Sequence, residues 1–149
     1  MFKLRKAAAV FALAAFVLLP AFAASAANRP NVVLMMADDL GYQDLSCYGS
    51  ETIRTPELDK LASQGIRLTS FYAGSTVCTP SRMALLTGAY PTRLGWPGGV
   101  IGYKINWSNG LAPEALTMAE VFQGAGYATG MCGKWHLGNA TQMAPMNQG

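Results

Sequence analysis

An unbroken apolar run, Val32-Val33-Leu34-Met35-Met36-Ala37, ends abruptly on the carboxylate pair Asp38-Asp39. Such a run without polar alternation suits a strand covered on both faces, the pattern of a parallel sheet. Thr55-Pro56-Glu57 then offers a cap, a proline for the first helical position and an early acid. Leu58, Leu61 and Ala62 give this helix an apolar face, and Gly65 gives it a stop. Ile66 to Tyr72 reads as the next strand and Pro80 to Thr87 as the next helix, with Thr79 as its cap. Thr117 caps a third helix carrying Met118, Val121, Phe122 and Ala125, and Gly126 ends it. Tyr127 to Cys132 reads as a further strand. Strands alternating with helices predict an α/β fold, a mainly parallel sheet flanked by helices.

The first residues stand apart from that pattern. Lys3, Arg5 and Lys6 form a basic head, Ala7 to Leu19 an apolar stretch, and Ala24-Ser25-Ala26 a small-residue cleavage site. Residues 1–26 are therefore expected to be a signal peptide, with a mature N-terminus at Ala27 in the periplasm or outside the cell. The chain's formal charge of +3 comes from this segment, and its removal leaves as many basic as acidic side chains. The basicity gives no warrant for nucleic-acid binding.

The residues with chemistry to offer fall in three places. Cys78 sits at the mouth of the second helix, where unpaired backbone N–H groups and the dipole favour an anion. Arg82, one turn further on, offers a fork of donors to the same anion. Asp38 and Asp39, at the end of the first strand, offer hard oxygen ligands for Ca²⁺ or Mg²⁺, or else a solvated turn before Gly41. Lys134 and His136 follow a strand, in the glycine-flanked loop Gly133-Lys134-Trp135-His136-Leu137-Gly138. Tyr90 to Pro113, rich in Gly, Pro and aromatic residues, reads as a long loop near the site mouth. Of the other cysteines, Cys132 is expected to be a buried thiol; pairing with Cys47 is the alternative.

Cys78-Thr79-Pro80-Ser81-Arg82, followed by Met83-Ala84-Leu85-Leu86-Thr87-Gly88, resembles the signature of the type I, formylglycine-dependent sulfatases. Gly126-Tyr127-Ala128-Thr129-Gly130-Met131-Cys132-Gly133-Lys134-Trp135-His136 looks like the second signature of that family. Pro30-Asn31-Val32-Val33-Leu34-Met35-Met36-Ala37-Asp38-Asp39 matches its opening strand and metal-binding carboxylates. The three blocks come in the family's order and spread from Pro30 to Gly138. The resemblance implies an alkaline-phosphatase-like α/β fold, of which residues 27–149 are expected to be the N-terminal part, truncated at Gly149.

The resemblance also implies the chemistry. A formylglycine-generating maturation enzyme would oxidise Cys78 to an aldehyde, which hydrates to a geminal diol. One hydroxyl attacks the sulfur of a sulfate ester, and the other loses its proton to expel sulfate. In this reading Arg82 supports the diol and the metal site, and Lys134 neutralises the sulfate and diol oxygens. His136 hydrogen-bonds the diol and takes the proton. Asp38, Asp39 and the modified Cys78 would hold Ca²⁺, with Mg²⁺ less favoured and two further family ligands, an aspartate and an asparagine, later in sequence. Trp135 is expected to pack. The expected partners are a small-molecule or carbohydrate sulfate ester, the maturation enzyme and the export machinery. Phosphate- or phosphonate-ester hydrolysis on the same scaffold, and a non-catalytic truncated remnant, are the alternatives.

Overall fold

Three of the local signals read from the sequence become α-helices in the computed structural model, which describes residues 29–102, 106 and 108–149. The leader, residues 1–26, lies outside the described residues. The chain divides into one unit ending at Ala37 and a second from Asp38 to Gly149. In the first unit, residues 29–37 run without regular secondary structure.

In the second unit, α1 spans Pro56–Gln64, with Thr55 at its N-cap position and Gly65 at its C-cap. Short 3-10 turns at Tyr42–Asp44 and Ser46–Tyr48 precede it. The Thr55 hydroxyl does not cap its own helix. It accepts from Ser46 N–H at 3.0 Å, while Thr55 N–H donates to Ser46 Oγ at 2.8 Å. Asp59, on the first turn of α1, accepts from Cys47 N–H at 2.8 Å and from the Thr55 hydroxyl at 3.2 Å. These bonds clasp the second turn onto α1.

The second helix, α2, spans Cys78–Thr87 and ends at Gly88, whose left-handed φ of 65° lets its N–H reach the Ala84 carbonyl. It starts earlier than the sequence suggests: Val77, not Thr79, is the N-cap, and Cys78 is the first helical residue. Pro80 tolerates this register because no residue of the first turn has an intrahelical acceptor for its N–H. The shift sends Thr79 into the interior, where it is fully buried. The third helix, α3, spans Met118–Gly124. Thr117 and Glu120 cap it reciprocally, Glu120 N–H donating to Thr117 Oγ1 and Thr117 N–H to Glu120 Oε2.

Met83, Trp96, Ile101, Leu111 and Leu137 form the buried core, with Leu86, Leu94, Ala115 and Trp135 packed against it. Three of those five come from the stretch Tyr90–Pro113, read from sequence as a loop. Among its described residues it is irregular, with one 3-10 turn at Pro91–Leu94, yet it supplies most of the core. Its end is stitched to the Lys134 loop by Leu111 N–H donating to the Leu137 carbonyl at 2.9 Å. Gly110 makes that crossing possible, since a Cβ there would lie 2.0 Å from the Leu137 carbonyl oxygen.

The three expected strands have no strand pairing among the described residues. Their apolar side chains are open: Val33 is 80% and Ile66 89% exposed, and Met131 is exposed as well. A parallel strand takes its hydrogen bonds and its cover from neighbours, so an apolar run marks a surface that needs cover without naming its partner. Cys132 is consequently exposed, not the buried thiol expected, and Cys47, Cys78 and Cys132 are all free thiols. Among the described residues no helix is long and apolar enough to cross a membrane.

Candidate functional site

Cys78 opens α2 and Arg82 lies one turn along it, so both fall on one face of the helix. Cys78 is half-buried, and the first-turn N–H groups around it lack intrahelical acceptors. The Arg82 side chain is only 9% exposed. Enclosing a guanidinium costs free energy unless its donors find acceptors; the two terminal nitrogens do, while the buried Nε has no hydrogen-bond partner among the described residues. Nη1 donates to the Lys134 carbonyl at 2.5 Å, and Nη2 faces Asp38 Oδ1 at 3.5 Å. Arg82 thereby ties α2 to both other blocks of the sequence.

Asp38 receives a second cation. The Lys134 ammonium pairs with Oδ2, so each carboxylate oxygen faces a positive side chain. The Lys134 hydrogen bond holds the Asp38 carboxyl below the ordinary carboxylate range. Partial burial opposes that shift, and the charges of Lys134 and Arg82 reinforce it. Asp39 is exposed and, with φ at 55°, lies in the left-handed region. It takes no part in the ion pairs among the described residues.

His136 is the other non-glycine residue there with a left-handed φ, 59°. Its placement depends on Thr79 and Ile101. The His136 carbonyl accepts from the Thr79 hydroxyl at 3.2 Å, and that hydroxyl accepts from Ile101 N–H at 3.2 Å. The imidazole closes the triangle, with Nε2 lying 2.9 Å from the Ile101 carbonyl. A carbonyl can only accept, so Nε2 carries the hydrogen in this arrangement. Lys134 and His136 are thus both strapped to the first two turns of α2. Trp135, between them, packs on the core and donates its indole N–H to the Met143 carbonyl at 2.9 Å.

The structure therefore brings Asp38, Arg82 and Lys134 into direct contact, and joins His136 to the residue following Cys78. It does not gather a divalent-cation site. The Asp38 and Asp39 carboxylates are the right kind of donor. Among the described residues, however, no three or more acidic, histidine or cysteine side chains cluster in a way that could hold a metal ion. Both Asp38 oxygens already face cations. Sequence reasoning missed Thr79 and Ile101 as positioning residues. The available signal for Thr79 was a hydroxyl one residue inside a helix start; the helix register hid its role.

The sulfatase family model matches residues 30–149. The steryl-sulfatase of Mus musculus is 52% identical over 122 residues, which cover 80% of this chain and 20% of the relative. Human arylsulfatase A is 51% identical over 125 residues, covering 83% of this chain and 24% of the relative. The chain thus spans about a fifth to a quarter of the length of the curated relatives it matches. Of solved structures, Ps i-CgsB superposes with a TM-score of 0.75 at 36% identity, over 81% of this chain and 26% of that one. A Bacteroides thetaiotaomicron protein, from a locus for metabolism of multiple glycosaminoglycans, gives a TM-score of 0.66 at 46% identity. That match covers 75% of this chain and 23% of the other.

Proposed function

The chain belongs to the sulfatase family, and from that premise we propose that it supplies the first part of a site hydrolysing sulfate esters. The observation that carries this reading is the meeting of Asp38, Arg82 and Lys134, from three separated sequence blocks, at a point one turn along the helix that Cys78 opens. Positive side chains and a helix N-terminus would suit the tetrahedral sulfate group, which carries one negative charge in the ester and two once released. Oxidised to formylglycine and hydrated, Cys78 would supply a geminal diol, whose first hydroxyl attacks sulfur and displaces the alcohol, and whose second hydroxyl then loses its proton to expel sulfate and regenerate the aldehyde. Arg82 stays fixed beneath that position by the Lys134 carbonyl. Lys134 meets the charge that develops on the oxygens, and His136, steered by Thr79 and Ile101, moves the proton.

Residues 27–149 are proposed to form the N-terminal part of an alkaline-phosphatase-like catalytic domain with a mainly parallel sheet. Asp38 and Asp39 would contribute to a Ca²⁺ site, in preference to Mg²⁺, completed from beyond the described residues. The substrate is proposed to be a small-molecule or carbohydrate sulfate ester. The matched relatives are named for aryl and steryl sulfates, and Ps i-CgsB has a structure in complex with a neocarrahexaose. A maturation enzyme and export to the periplasm or beyond complete the proposal. On their own, residues 27–149 are expected to bind Ca²⁺ weakly and not to turn over, given a ligand shell short of the ~6–8 oxygens Ca²⁺ prefers.

The test is production of the active enzyme with a formylglycine-generating enzyme, followed by peptide mass spectrometry at Cys78 and assay on matched 4-nitrophenyl sulfate and phosphate. Conversion of thiol to aldehyde, with sulfate ester hydrolysed faster, is expected. Cys78→Ala is expected to abolish turnover. Faster cleavage of the phosphate ester, or full turnover by Cys78→Ala, would sink the reading.

A further inference from the structure

We infer that Thr79 is a positioning residue for the proton step: through Ile101 it selects Nδ1 of His136 as the nitrogen that takes the proton. This rests on the reading of His136 as the proton carrier, and deepens it by naming the atom and the hydroxyl that chooses it. Thr79 and Ile101 are both buried, so the polar groups they share must find partners inside the fold. The Thr79 hydroxyl donates to the His136 carbonyl and accepts from Ile101 N–H, each at 3.2 Å. Ile101 then turns its carbonyl to His136 Nε2 at 2.9 Å. One buried residue thus meets the threonine with its N–H and the imidazole with its C=O.

The direction of each bond follows from what the groups can do. Carbonyls only accept, so the single hydroxyl hydrogen is committed to His136, and an oxygen lone pair serves Ile101 N–H. By the same rule the imidazole hydrogen lies on Nε2. A neutral imidazole protonated there carries its basic lone pair on Nδ1. In the elimination step the proton of the diol's second hydroxyl therefore passes to Nδ1. Its O–H electron pair completes the aldehyde C=O, and sulfate leaves with the pair of the broken C–O bond. The His136 backbone needs the same hydroxyl. Its φ of 59° is sparsely populated for a non-glycine residue and persists where neighbours hold it, here at the carbonyl. Valine has nearly the shape of threonine but can neither donate nor accept, so Thr79→Val removes both bonds and little else.

The chain has one histidine, so ring-nitrogen NMR of the full chain reads His136 alone. In mildly alkaline buffer, where an imidazole is neutral, the hydrogen should sit on Nε2 in slow exchange with water. Thr79→Ser should keep that signal and Thr79→Val should lose it. Thr87→Val, which removes a hydroxyl near the other end of α2, should keep it. In the active enzyme, Thr79→Val should lower kcat on 4-nitrophenyl sulfate by on the order of a hundredfold per folded molecule, the scale of a misplaced reacting group, with KM little changed. Thr79→Ser should recover most of that rate. A hydrogen found on Nδ1 of the unmutated chain would overturn the inference before any variant is made. Equal losses in Thr79→Ser and Thr79→Val would also overturn it. If the unmutated enzyme hydrolyses sulfate esters and Thr79→Val keeps its kcat, the reading of the site stands and the positioning role is refuted. If the unmutated enzyme hydrolyses no sulfate ester, the reading itself falls.

Discussion

Asp38 and Asp59 are two carboxylates held below their ordinary range by opposite means. Asp59 is held by neutral donors: burial pushes its carboxyl up, and hydrogen bonds from Ser46, Thr55 and Cys47 together outweigh that. Every one of those donors belongs to a turn or helix that the carboxylate ties down. Asp38 is held by two full charges, one of them on a half-exposed lysine. Neutral dipoles in fixed positions make a clasp, which does its work by staying closed. Full charges, one of them on a half-exposed side chain, fit the proposed site, because a charged ligand interacts with them more strongly than with neutral dipoles. The shifts share a direction, and only the identity of the partners separates structure from chemistry.

The comparison can be broken from either end. The largest effect is expected at the charged end: Lys134→Ala in the active enzyme should cost on the order of 10²–10³ in kcat. Ser46→Ala should leave turnover per folded molecule unchanged. Steady-state kinetics on 4-nitrophenyl sulfate checks both. At the neutral end, Thr55→Val removes a hydroxyl that accepts from Ser46 and donates to Asp59. It should lower stability by about 1–2 kcal/mol, read from urea unfolding, because partners are left unsatisfied.

Smaller effects sharpen the contrast. Both carboxyls are depressed in the folded chain, so each contributes stability above its unfolded value that is lost as pH falls through the folded one. Both contributions therefore vanish only in acid below the ordinary carboxylate range. Salt should tell them apart. Near 0.1 M, where the screening length is about 10 Å, the half-exposed Asp38–Lys134 pair weakens while the Asp59 hydrogen bonds do not. Carboxyl titration followed by NMR at low and high salt should move Asp38 upward and leave Asp59 in place.

How much of this was legible in the sequence depended on the range of the interaction. The helices were, because caps and stops act within a few residues: Pro56 and Gly65 bracket α1, and Thr117 with Glu120 opens α3. The start of α2 was misread by a local ambiguity, since a proline is as acceptable at the third helical position as at the first. That small slip concealed Thr79, whose hydroxyl positions His136. The apolar runs were legible as surfaces needing cover, but a strand is defined by a partner that its own residues do not encode. Trp96, Ile101 and Leu111 were passed over because Gly and Pro around them signalled irregular backbone, which does not prevent side chains from being buried. The meeting of Asp38, Arg82 and Lys134 was implied by family resemblance alone; no spacing rule brings residues so far apart in sequence together.

Asp38→Asn and Asp59→Asn, compared in one experiment, test the central claim most directly. Each active variant would be measured for hydrolysis of 4-nitrophenyl sulfate and for its urea midpoint, with rates expressed per folded molecule. Asp38→Asn should lose at least about a hundredfold in rate, the scale of losing one charge-stabilising group, with the smaller change in midpoint. Asp59→Asn should show the larger fall in midpoint and keep its rate. If Asp38→Asn keeps its rate, or Asp59→Asn loses as much as Asp38→Asn, the division into site and clasp is wrong.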